Sequence, residues 1–230
     1  MSQLNNDQSK ELRHERKFLI TDYSVVEVEQ IIKFNPACFS EIHQQRAVNN
    51  IYFDSLDYDS YYRNVEGDTH RTKARIRWYG RLFGQIENAV LEFKIKRGLL
   101  GTKEYYLLNS FQLDENFSKQ EIIVAINSLP RNIQDFMLSM KPALLNTYNR
   151  KYFLSADKQF RLTIDKNLTF YNISYNNNTF LNKVNNYQSV VLELKYNLDL
   201  DTKADEITKA FPFYMTKNSK YLQGVERVLF

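Results

Sequence analysis

Charged and apolar positions alternate along much of this chain. In Arg71–Trp78, RTKARIRW, Lys73, Arg75 and Arg77 fall on alternate positions, with Thr72, Ala74, Ile76 and Trp78 on the others. Alternate side chains of a strand share a face, so the stretch predicts a strand with one cationic face and one core face. The period recurs four times. LEFKIK puts Glu92, Lys94 and Lys96 in phase, LELKY puts Glu193 and Lys195 in phase, and RHERKFLI does the same for Arg13, Glu15 and Lys17. RLTID adds Arg161, Thr163 and Asp165.

One such strand alone reads more readily as the solvated face of an antiparallel sheet. Five in the same register point to faces lining a shared concavity. Two like charges about 5 Å apart repel by roughly 3 kcal/mol at an effective dielectric near 20. A ring of cations therefore calls for an anion with many charges, such as polyphosphate or a nucleoside triphosphate.

The periods place the remaining elements. A strand over 11–20 precedes a helix from about Tyr23 to Phe34, with N-caps offered by Thr21 and Asp22. Residues 46–54 form a strand, and 55–62 a tyrosine-rich turn or short helix. The strand at 71–79 pairs with 89–96 through a loop holding Gly80 and Gly84. A turn at Gly98 and Gly101 leads to a third strand over 103–108. Ser118 and Glu121 have capping-box spacing, as do Thr202 and Asp205 before a helix ending near Phe211. A helical hairpin over about 118–140 separates two β-rich halves. Strands follow at 144–154 and 190–196, with a hairpin of 160–165 against 169–175 between them. The fold class is α+β. Residues 1–10 read as a flexible tail and 11–230 as one domain carrying the helical hairpin as an insertion.

Composition narrows the partners. The 230 residues include 16 Tyr and 16 Phe, enough to fill a sizeable core. Net charge is only +4, which does not argue for wrapping nucleic acid. The single cysteine, Cys38, excludes an internal disulfide, favours a reducing compartment and reads as a small core residue. The N-terminal decapeptide has no apolar signal segment, and no stretch approaches a membrane span.

Three scattered histidines and one cysteine do not make a zinc site. No G-x-S-x-G elbow or strand-following G-x-G-x-x-G is present, and GLLGTK at 98–103 lacks P-loop spacing. Phosphate chemistry remains. Phosphoryl transfer needs cations to align phosphates and a metal to share their charge. Glu15, Glu92 and Glu193 could supply oxygen ligands to Mg²⁺ or Mn²⁺, or could only pair with neighbouring Lys and Arg.

Eight segments together resemble the vacuolar transporter chaperone domain, a branch of the triphosphate tunnel metalloenzymes. They are HERKF, NNIYFDSLDYDSYY, RTKARIRWYG, LEFKIKRG, TYNRKYF, RLTID, LELKY and KNSKYLQG, in that order. The resemblance implies an antiparallel eight-stranded β-barrel around a basic tunnel, with helices packed outside. It implies a polyphosphate polymerase that transfers the γ-phosphoryl group of ATP to a growing inorganic polyphosphate chain with Mn²⁺ or Mg²⁺. Hydrolysis of tripolyphosphate, or binding of polyphosphate or an inositol phosphate without turnover, stays open as an alternative.

By position, the resemblance gives catalytic and phosphate-binding roles to Lys17, Arg75, Arg77, Lys94, Arg150 and Arg161. Lys96, Lys103, Lys195, Lys217, Ser219 and Lys220 join the binding set. Glu193 is the leading metal ligand and Glu15 a second. Arg13 stands where the hydrolytic and cyclase relatives carry the first Glu of E-x-E-x-K, which favours the polymerase branch. The resemblance further implies a cytoplasmic bacterial domain whose product passes to a separate membrane protein.

Overall fold

The computed structural model of the chain describes residues 13–97 and 100–229. The expected flexible tail, 1–10, and Gly98 of the expected turn lie outside them. The first elements are β1 (Arg13–Ile20), α1 (Val25–Lys33), β2 (Ser40–Asp54), α2 (Asp59–Val65), β3 (His70–Tyr79) and β4 (Gly84–Ile86). Then come β5 (Val90–Arg97), β6 (Leu100–Leu107), β7 (Phe111–Leu113), α3 (Lys119–Ile126) and α4 (Arg131–Leu138). The chain closes with β8 (Lys141–Leu154), β9 (Arg161–Tyr171), β10 (Lys183–Asn186), β11 (Val190–Asn197), α5 (Asp201–Lys209) and α6 (Lys220–Leu229).

Among the described residues the ladder order is β1-β11-β9-β8-β2-β3-β5-β6, with β10 paired to β9. β4 and β7 form a separate two-stranded sheet. The α+β class holds, built on a large antiparallel sheet. The expected closed eight-stranded barrel does not: the larger sheet has nine strands, and no β1–β6 ladder closes it among the described residues.

The chain divides into two compact units. The first gathers the described residues of 1–45, 150–166 and 188–218. Its core takes Phe18 and Ile20 from β1, Leu162 and Ile164 from β9, and Leu192 and Leu194 from β11. Val28 and Ile32 of α1 and Ala204 and Ile207 of α5 cover them. Ser24 caps α1, not Thr21 or Asp22: its Oγ accepts from the Glu27 amide, and the Glu27 carboxylate accepts from the Ser24 amide at 2.7 Å. The expected box at Thr202 and Asp205 does not form: α5 starts at Asp201, which places Thr202 inside its first turn, and the Asp205 carboxylate accepts from Arg16 of β1 at 2.5 Å. Cys38 is exposed, not core, in a turn with φ of 50°.

The second unit gathers the described residues of 46–149, 167–187 and 219–230. Ala74, Ile76 and Trp78 of β3 pack with Ile51 and Phe53 of β2 and Leu91 and Phe93 of β5. Ile122, Ile126, Ile133 and Met137 place the hairpin of α3 and α4 on this core. Ser118 makes no side-chain cap: the Glu121 amide donates to the Ser118 carbonyl at 3.1 Å, and the Glu121 carboxylate accepts from the Gln112 amide at 2.7 Å. The expected 160–175 hairpin is one strand, β9, that runs through Asn167 at φ of 55°; its last residues, 168–171, pair with β10.

Buried Asp54 ends β2 and organises two helices. Its carboxylate accepts from the amides of Ser55, Ser60 and Tyr61 at 2.8–3.0 Å, and from the Tyr221 hydroxyl of α6. Burial and the Asp54 charge hold the Tyr221 hydroxyl protonated well above the ordinary tyrosine range. Gly224 lets α6 lie close: a Cβ there would stand 2.3 Å from Leu144 Cδ2 and 2.7 Å from Phe170 Cδ1.

Candidate functional site

The charged strands keep the register that their two-residue period predicts, and they form one face in each unit. In the first unit Lys17, Glu193 and Thr163 stand directly opposite one another across β1, β11 and β9. Glu15, Lys195 and Arg161 form the adjoining row. Glu193 is buried, 6% exposed, and three cations hold it. Lys195 Nζ lies 3.2 Å from its Oε2, Lys17 Nζ 3.5 Å from its Oε1, and Arg150 Nη2 3.6 Å from Oε2. Glu15 shares both lysines, at 3.6 Å from Lys17 and 3.7 Å from Lys195.

Two groups without an assigned role complete this face. Asp165 is fully buried and receives Arg150 in a two-point pair, Nε to Oδ1 at 2.5 Å and Nη2 to Oδ2 at 2.7 Å. Such a fork fixes the guanidinium plane. The sequence signal was present, since Asp165 is in phase with Arg161 in RLTID. Nothing local names its partner, which lies on another strand. The Thr163 hydroxyl is buried beside Glu193 with no hydrogen-bond partner. Arg161 ends its row exposed.

The second unit carries a more basic face. Tyr52, Arg75, Glu92 and Tyr105 form one cross-strand row over β2, β3, β5 and β6. Lys73, Lys94 and Lys103 form the next, and Arg71 and Lys96 the one beyond. Like charges directly opposite are unfavourable in a sheet, and Lys73, Lys94 and Lys103 face one another in one row. Glu92 is the carboxylate in the rows. Arg75 donates to its Oε2 through Nε at 2.7 Å and through Nη2, and Arg77 Nη1 lies 3.4 Å from its Oε1. Burial pushes the Glu92 carboxyl up, but the Arg75 and Arg77 charges outweigh it and leave the pKa below the ordinary range. Burial also opposes the Arg75 charge, yet Tyr52, Glu92 and Tyr148 hold its pKa above the usual arginine value.

Arg77 donates through Nε to Asn50 Oδ1 at 2.9 Å, and Asn50 Nδ2 donates to Asn146 Oδ1 at 2.9 Å. Buried Lys220, at the start of α6, lies over the Tyr148 ring at 4.9 Å. Ser219 turns to local work, accepting from the Leu222 amide and from Asn64 Nδ2, both at 3.5 Å. Lys217 is exposed on the preceding loop.

The structure therefore gathers Glu15, Lys17, Arg150, Lys195 and Glu193 on the first unit's face, with Arg161 at its margin. It gathers Arg75, Arg77, Lys94, Lys96 and Lys103 on the second unit's face, where Lys220 meets Tyr148.

No three His, Cys, Asp or Glu side chains converge into a metal cage among the described residues. A hard divalent ion needs less when phosphates complete its shell: one or two carboxylates suffice. Glu193 and Glu15 share two lysines, and an orphaned hydroxyl stands beside Glu193. That donor set fits Mg²⁺ or Mn²⁺.

A large antiparallel sheet with a charged face in each unit defines an α+β protein. Residues 12–229 match the VTC domain, and the chain belongs to that family. Vacuolar transporter chaperone complex subunit 4 of Schizosaccharomyces pombe is 27% identical over 164 residues. That alignment covers 60% of this chain and 22% of the yeast protein. Among solved structures, a Hippeastrum adenylyl cyclase candidate with a dominant triphosphatase activity aligns at TM-score 0.52 and 13% identity, covering 94% of this chain and 96% of its own. A Pyrococcus horikoshii protein aligns at TM-score 0.51 and 12% identity, covering 93% and 96%. Both show the likeness of fold. No helix among the described residues is long and apolar enough to cross a membrane.

Proposed function

We propose that this chain is a metal-dependent polyphosphate polymerase that transfers the γ-phosphoryl group of ATP to a growing polyphosphate chain. The observation that carries the reading is a buried carboxylate, Glu193, held among Lys17, Lys195 and Arg150. A protein that only binds anions gains nothing from an acid there. Membership of the VTC domain family and the likeness to the yeast subunit support it.

Glu193 and Glu15 would hold Mn²⁺ or Mg²⁺. The ion, when bound, neutralises charge on the transferred group and its leaving oxygens. The chain's own residues align the phosphates. Arg150, fixed by Asp165, presents its guanidinium edge in one orientation. Arg75, Arg77, Lys94 and Lys103 bind unesterified phosphoryl oxygens; Lys96, Arg161, Lys217 and Lys220 add charge along the chain. Lys17 and Lys195, now paired with Glu193 and Glu15, would be released to contact phosphate with those carboxylates on the ion. Phosphoryl transfer asks for little beyond this positioning and charge compensation. The reading sets the reaction in the cytoplasm, with a separate membrane protein receiving the product.

Incubation of the purified protein with ATP and Mn²⁺, resolved on a gel stained for polyphosphate, tests it. A ladder of long chains is expected. Release of orthophosphate alone would make the protein a hydrolase, and binding without turnover would make it an anion carrier.

A further inference from the structure

Arg77, Asn50 and Asn146 form a line of donations in the second unit. Asn50 and Asn146 are both fully buried. A guanidinium has only donors, so Asn50 must turn its oxygen to Arg77 Nε, at 2.9 Å. Its amide nitrogen then faces Asn146, which must present oxygen in turn, again at 2.9 Å. The orientation of both side-chain amides follows from the arginine, with no alternative pairing. The line ends on Asn146 Nδ2, buried and without a partner. An unpaired buried donor is unfavourable, and a sheet core at this position would be steadier with two apolar side chains. The neighbouring rows show what the arrangement achieves. Asn50 fixes the Nε side of Arg77 while Glu92 faces Nη1 at 3.4 Å. The Nη2 edge is left without a partner among the described residues.

We infer that Asn50 and Asn146 are positioning residues that hold the Arg77 guanidinium in one plane, its Nη2 edge presented to a phosphoryl oxygen. This inference rests on the phosphate-binding reading of the basic face. It goes beyond charge. A lysine at position 77 would keep the charge but could not take the Asn50 oxygen in the same plane. The relay acts only through Arg77, so removing either should matter once and not twice.

The test is a double-mutant cycle on tripolyphosphate affinity, measured by calorimetry at low salt. Asn146→Leu keeps the branched shape and removes the acceptor that orients Asn50. It should weaken binding at least fivefold. Arg77→Lys should weaken it further, and the double variant should match Arg77→Lys within twofold. A merely structural asparagine would give additive losses, and additivity, or an unchanged Asn146→Leu variant, overturns the inference. If Asn146→Leu does not fold, Asn50→Leu takes its place: it removes the oxygen that holds Arg77 Nε. That variant should bind tripolyphosphate at least fivefold more weakly, with the loss absent in the Arg77→Lys background; parent-like affinity overturns the inference. A parent protein that does not bind tripolyphosphate at all removes the phosphate reading and this inference with it. Binding by the parent with an additive cycle removes the inference alone.

Discussion

The two charged faces are built from the same two-residue alternation but balanced differently. On the first unit's face Lys17, Arg150, Arg161 and Lys195 meet three carboxylates, Glu15, Asp165 and Glu193. On the second unit's face Arg71, Lys73, Arg75, Arg77, Lys94, Lys96 and Lys103 meet Glu92. The first is close to neutral: Glu15 and Glu193 are each held by more than one cation, and Asp165 receives Arg150. The second has more cations than carboxylates in its cross-strand rows. Under the proposed function this difference is a division of labour: the balanced face takes the metal and the reacting phosphate, and the more cationic face the polyanionic chain.

The sharpest way to break this comparison is Glu193→Gln. The substitution keeps the shape and removes the charge. ATP turnover with Mn²⁺ should fall by orders of magnitude, because the ion loses its protein anchor. Turnover near the parent rate in a steady-state assay would hand the metal role to Glu15 or to Glu92.

Next in size is the contrast within one strand. Ile76→Ala, in the core, should cost about 2–5 kcal/mol in denaturant unfolding. Arg75→Ala should abolish turnover while lowering stability by only about 1 kcal/mol, because its ion pair is partly open to solvent. Relief of like-charge repulsion would by itself make Arg75→Ala neutral or stabilising, but Arg75 is the main partner of Glu92. The reverse pattern would place β3 in the opposite register. Gly224→Ala tests the KYLQG segment without touching a charge. The added methyl meets Leu144 and Phe170, and overpacking of that kind costs about 1–3 kcal/mol. An unchanged melting temperature would mean that α6 is free to shift.

The smallest effect expected is electrostatic. The Glu92 carboxyl sits below its ordinary value of 4.5. A depressed carboxylate stabilises the fold fully above the unfolded value and loses that contribution as pH falls through the folded one. Parent and Glu92→Gln should therefore differ in stability above about pH 4.5 and converge below it. A difference that grows in acid would contradict the pairing.

The strand faces were legible because strand periodicity is local. Lys73, Arg75 and Arg77 opposite Ala74, Ile76 and Trp78 needs only the alternation, and the rows of β5 and β11 follow the same rule. What stayed hidden needs partners distant in sequence. Ser118–Glu121 and Thr202–Asp205 have good cap spacing, but Gln112 and Arg16 claim the acids. Asn167 reads as a break between strands, yet it takes a positive φ inside one. Asn50 and Asn146 are two unremarkable amides until β2 and β8 bring them together. Barrel closure came from the family resemblance and not from any residue pattern, and the ladder does not show it.

The division of labour is tested most directly by titrating tripolyphosphate into parent, Glu193→Gln and Arg77→Ala protein, each with and without Mn²⁺. The account predicts that Glu193→Gln binds tripolyphosphate as well as the parent or better without metal, and gains nothing from Mn²⁺. It predicts that Arg77→Ala binds more weakly in both conditions but keeps the gain from Mn²⁺. Binding in the parent should fade as salt rises, since the contacts are ionic. A Glu193→Gln protein that still gains affinity from Mn²⁺, or an Arg77→Ala protein that loses that gain, would contradict the account.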